Sequence, residues 1–87
     1  MLPNRTLLRH ADLVDRMADA LGVDLEEAVM RGALNPDALP DMVLRCSACT
    51  KPEQCEGWLA RNPDPAGPEA APDYCRNAEV FDVLARR

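Results

Sequence analysis

Between residues 5 and 21 apolar side chains recur at helical spacing. Placed about 100° apart around an axis, Leu7, His10, Ala11, Leu13, Val14, Met17, Ala18 and Leu21 fall in one broad arc, and Arg9, Asp12, Asp15, Arg16 and Asp19 fall opposite. The pattern predicts an amphipathic first helix stopped by Gly22, since glycine readily takes the left-handed conformation that closes a helix. Asp24 with Glu27 three residues on predicts a capped, short second helix that runs towards Gly32. Asn35-Pro36-Asp37 reads as a turn over 35–39. Because Pro40 lacks a backbone N–H, the third helix is expected to start there. Leu39, Met42, Val43 and Cys46 share one face, and Cys49 extends it, so both cysteines are expected to point inward. Thr50 and Glu53 form a capping pair around Pro52 for a fourth helix, on which Cys55, Trp58 and Leu59 share a face before Asn62-Pro63 ends it.

Residues 62–73 carry prolines at 63, 65, 68 and 72, which predicts an extended connector with polyproline character. A last helix is expected from near Asn77, with Val80, Phe81, Val83 and Leu84 clustered on one side. Cys75 falls outside that arc and is expected from a loop or an irregular first turn. No strand pattern and no internal repeat is present. The fold class predicted is all-α, a small bundle of four to five short helices forming one domain over residues 1–87.

Composition changes the picture in one respect. The chain has 87 residues, 47% hydrophobic but only 3% aromatic, so its core is built from small side chains. A domain of this size buries only about 60% of the surface its unfolded chain exposes, and such folds often depend on a metal or disulfide staple. Four cysteines are available for that purpose. The net charge of −5 opposes non-specific nucleic-acid binding, which requires a basic field. No segment approaches the length of a membrane span, and Met1 to Arg5 open no apolar export signal, so the expected location is cytoplasmic. In a reducing cytoplasm, cysteines are more often metal ligands or redox groups than disulfides.

The cysteines follow the pattern Cys46-x2-Cys49-x5-Cys55, with Cys75 twenty residues further on. Four converging thiolates suit either a tetrahedral Zn ion or a 4Fe-4S cube. Zn is commonly held by two short Cys-x2-Cys knuckles, and only one such pair is present. A cube takes one thiolate at each corner, so uneven spacing on separate elements suits it better. Structural Zn, and disulfides or free thiols, remain as alternatives. Met42, Val43, Trp58, Leu59 and Tyr74 are expected to exclude water from the centre, and Arg45 and Arg76, each beside a cysteine, could offset its negative charge. Both arginines are also well explained as ordinary surface residues.

The stretch from Arg45 to Asn62, Arg-Cys-Ser-Ala-Cys-Thr-Lys-Pro-Glu-Gln-Cys-Glu-Gly-Trp-Leu-Ala-Arg-Asn, resembles the cysteine segment of WhiB-like iron-sulfur regulators. Cys46, Cys49 and Cys55 match that family's three clustered ligands, and the resemblance implies a cluster. It departs at the fourth ligand, which lies upstream in that family and downstream here, and this chain has no basic DNA-binding tail. Along nearly its full length the chain also resembles an uncharacterised group of short bacterial four-cysteine proteins. The shared features are the amphipathic first helix, Gly-Val-Asp-Leu-Glu-Glu-Ala at 22–28, the cysteine triplet and Tyr74-Cys75-Arg76-Asn77.

His10 is the only histidine and reads as a buried core histidine with one hydrogen-bond partner, because the cysteines already complete a ligand set. Asp12, Asp15 and Asp19 read as a solvated face. No Ser-His-Asp order and no glycine-rich phosphate loop is found, so hydrolase and nucleotide-binding functions lack support, and no enzymatic activity is expected. The function expected is a single 4Fe-4S cluster on Cys46, Cys49, Cys55 and Cys75. It would serve redox or oxygen sensing, or electron transfer to a protein partner. The alternative is a Zn-stapled protein-interaction module without redox activity.

Overall fold

The computed structural model describes residues 4–62, 67 and 70–85. Five helices follow one another: α1 (Asn4–Ala20), α2 (Leu25–Met30), α3 (Ala38–Ser47), α4 (Pro52–Arg61) and α5 (Ala78–Ala85). No strand occurs among the described residues. The all-α expectation holds.

Helix α1 is the organising element, packing against both α3 and α4. Its apolar stripe is buried at Leu13, Val14, Met17 and Ala18, while Asp12, Asp15, Arg16 and Asp19 face solvent. Gly22, at φ +73°, closes it: Val23 N–H donates to Ala18 O at 2.8 Å and Gly22 N–H to Asp19 O at 3.1 Å. These two bonds satisfy carbonyls that the helix end leaves unpaired. Gly32, at φ +78°, repeats the device on α2, with Ala33 N–H donating to Ala28 O at 2.8 Å and Gly32 N–H to Val29 O at 3.1 Å. At the other end of α2, Asp24 Oδ1 accepts from Glu27 N–H at 3.0 Å. The second helix is therefore as short as the sequence predicts.

Helix α3 begins two residues before Pro40, at Ala38. Pro40 then lies in the first turn, where backbone N–H groups have no intrahelical partner to lose. Asn35 Oδ1 accepts from Asp37 N–H at 2.9 Å and fixes the entry turn. The helix stops at Ser47, so Cys49 lies beyond it and not on its face as expected. The predicted Thr50–Glu53 capping pair does not form either. Lys51 occupies the cap of α4 without a side-chain bond, and Pro52 starts the helix, a position that suits a residue with fixed φ and no N–H. At its far end, Asn62 Nδ2 donates to Trp58 O at 2.8 Å.

Helix α5 buries Phe81 and Leu84 in the common core, whereas Val83, counted above among the clustered apolar residues, is 65% exposed. Residues 63–66, 68 and 69 of the predicted proline connector lie outside the described residues. No described helix is long and apolar enough to cross a membrane.

Candidate metal centre

Each cysteine reaches the centre from a different local setting. Cys46 is in the last turn of α3, Cys49 follows that helix, Cys55 lies in the first turn of α4, and Cys75 precedes α5. All four are free and all four line one cavity. The other walls are His10, Leu13, Val14 and Met17 of α1, with Phe81, Pro52, Tyr74, Arg76 and Asn77. The α1 residues fall at i, i+3, i+4 and i+7, so one helical stripe forms one side of the site.

The water-excluding residues are therefore not the set expected from the sequence. Tyr74 lines the cavity, but Met42, Val43, Trp58 and Leu59 do not. They pack in or against the core elsewhere. Arg76 lines the cavity and Arg45 does not. Both border an outer groove together with Cys75, Tyr74, Asp73 and Glu79. Cys75 thus faces the interior cavity on one side and a surface groove on the other.

Hydrogen bonds hold the sulfurs. His10, 5% exposed, sets Nδ1 3.3 Å from Cys46 Sγ. Cys49 Sγ accepts from Lys51 N–H at 3.4 Å, and its S–H points to Tyr74 O at 3.9 Å. A backbone bond from Asn77 reaches Cys75 and favours its thiolate. Asn77 also ties this loop to α3, its Nδ2 donating to Met42 O at 2.8 Å. The residue is 2% exposed, and its Oδ1 is buried without a partner. Outside the site, Arg9 Nε and Nη2 both donate to Glu56 Oε1, at 2.9 and 2.8 Å, joining α1 to α4 at a solvent-exposed position.

Cys46, Cys55 and Cys75 hold their protons tightly. Burial pushes Cys46 up to about 12, reinforced by Cys55, Cys75 and Cys49. It pushes Cys55 up to about 11, with Cys75 and Cys49 adding to it, and it raises Cys75 as well. Several thiolates in an apolar cavity repel one another unless a cation compensates them, so the arrangement suits either protonated thiols or a bound metal centre. Burial, followed by the charge of Arg9, lowers the pKa of His10, which keeps the ring neutral.

A pH dependence follows for the reduced, metal-free protein. Below the ordinary thiol value of 9.0, Cys46 and Cys55 are protonated whether folded or unfolded. Above it the unfolded chain ionises first, while the folded chain keeps these protons until about 11 and about 12. The folded state then binds more protons, and stability falls as pH rises. The thermal midpoint should stay level from about pH 7 to about pH 9, above the range where neutral His10 matters, and fall between there and about pH 12. A midpoint unchanged across that interval would contradict the burial of these thiols.

The fit to a metal can be judged from the donors. Among the described residues, no three His, Cys, Asp or Glu side chains are grouped to hold a single ion. The expected staple is thus not present as a preformed single-ion cage. The open space between the cavity walls is about 20 Å³, room for about one water-sized body. The donor chemistry fits a thiolate-ligated centre: four cysteines, N–H groups aimed at their sulfurs, and apolar walls.

A family match extends over residues 1–87, the entire chain, and the family is described as one of unknown function. The chain belongs to the DUF6455 family. The whole-length resemblance to short four-cysteine proteins is consistent with DUF6455 membership, and the local WhiB-like resemblance gains no support from it. No curated protein and no solved structure matches the chain.

Proposed function

We propose that Cys46, Cys49, Cys55 and Cys75 ligate one 4Fe-4S cluster, and that the protein uses it in redox or oxygen sensing or in electron transfer to a protein partner. One observation carries this reading: four free cysteines from separate parts of the chain line a single cavity with apolar walls. When bound, such a cluster supplies one-electron redox chemistry. The chain's own residues do the rest. Leu13, Val14, Met17 and Phe81 keep water from one side, and Lys51 and Asn77 direct backbone N–H groups at Cys49 and Cys75. Bonds of that kind stabilise thiolate ligands and raise a reduction potential. Cys75 borders both the cavity and the outer groove, which brings one side of the site towards a partner or a diffusing oxidant. The reading assigns the protein no catalytic role.

Structural Zn is the second reading, favoured by the small space of about 20 Å³. Against it, the chain has one Cys-x2-Cys pair where such sites commonly use two. Anaerobic purification decides between them. A cluster should give brown protein with broad absorbance near ~400 nm and matching iron and sulfide per chain. Colourless protein carrying one equivalent of Zn would overturn the cluster and leave the interaction module.

A further inference from the structure

We infer that His10 is a positioning residue of the metal centre, donating its Nδ1–H to the metal-bound sulfur of Cys46 and so raising the centre's reduction potential. The inference rests on the cluster reading above and goes beyond it, because the cysteines alone complete the ligand set. Its basis is geometric. His10 lies on the α1 stripe that forms the apolar wall, lines the cavity with the four cysteines, and places Nδ1 3.3 Å from a sulfur 36 residues away in sequence. A thiolate bound to metal has no proton to give, so this contact is a hydrogen bond only when the ring proton is on Nδ1. The Nδ1–H then draws charge from the sulfur, which favours the reduced, more negative state of the centre. His10 also differs from the donors at Cys49 and Cys75. Those are backbone groups of Lys51 and Asn77, fixed by the chain trace, whereas the bond to Cys46 comes from a side chain and can be removed.

The test compares wild type, His10→Leu and His10→Asn after anaerobic reconstitution with iron and sulfide. Asparagine can place an N–H near the position of Nδ1, and leucine cannot. All three proteins should hold the same iron per chain. In His10→Leu the equilibrium constant for one-electron reduction should fall about tenfold, a shift of about 59 mV, and His10→Asn should recover most of it. Ring nitrogen NMR of the loaded wild type should place the proton on Nδ1, a measurement that stands even if His10→Leu fails to fold. Full iron with equal potentials in all three proteins, or a ring proton on Nε2, would overturn the inference alone. Loss of iron in both variants would show that His10 is needed to hold the iron itself, beyond tuning it, and would overturn the inference too. A wild type that takes up no iron would instead overturn the cluster reading, and this inference with it.

Discussion

Cys49→Ser protein should retain almost no iron after reconstitution, whereas Cys75→Ser should keep a degraded three-iron cluster or weakened metal. Cys49 sits in the short joint between α3 and α4, held by Lys51 N–H at 3.4 Å and facing Tyr74 O at 3.9 Å. Its neighbours in the site, Cys46 and Cys55, are on helices that both pack against α1. These three thiols therefore come from one locally determined unit. Cys75 arrives only after the proline-containing connector, whose closure costs chain entropy, and it borders the outer groove as well as the cavity. Its bond from Asn77 and the Asn77–Met42 tie anchor it at one end. Iron or Zn per chain and the visible spectra of the two variants measure the difference. Equal and complete loss would show that Cys75 is fixed as firmly as the others.

The second large effect is expected on stripping the proposed metal centre. Helix α1 with α3 and α4 has a packed apolar interface of its own. Helix α5 is only eight residues long, below the length at which isolated helices persist in water. It is held by Phe81, Leu84, the Asn77 bond to Met42 and Cys75. Removing the centre should release the last of these ties. Because ligation energy is also folding energy, on the order of 10 kcal/mol for structural Zn sites, the thermal midpoint should drop steeply. Part of the helical circular dichroism should disappear, and amides of 78–85 should exchange fast while those of α1 stay protected. An unchanged midpoint with unchanged protection over 78–85 would show that the apolar core alone holds the C-terminal helix.

The elements that were legible in the sequence are those set by local rules. Gly22 and Gly32 mark helix ends because the left-handed conformation they supply is required at those positions. Asp24 caps α2 through a bond that spans only three residues. The inward position of His10 follows from periodicity, and the loop origin of Cys75 from its absence from the α5 arc. The identity of the cavity walls was not legible. Periodicity shows that Met42, Leu59, Leu13 and Met17 all face inward, but not which of them face the cysteines, because that depends on how α1 crosses α3 and α4. The same limit hides the partner of His10, since no spacing rule joins residues 36 apart. The early start of α3 was missed for another reason: the rule against proline applies to helix interiors, and Pro40 lies where the helix has no bond to lose.

The stripe His10, Leu13, Val14 and Met17 has a consequence in terms of helix register. A single residue inserted between His10 and Leu13 would rotate everything before it by about 100°, while Leu13, Val14 and Met17 kept their places against the cysteines. His10 would leave the cavity, and Arg9 would lose its alignment with Glu56, yet the apolar wall would remain intact. Two stretches of one helix therefore carry separable duties: Arg9 and His10, in its second turn, supply polar contacts to α4 and to the sulfur, and the following turns supply the dry wall. A change in length between His10 and Leu13 alters the surroundings of the Cys46 sulfur without dismantling the bundle that encloses it.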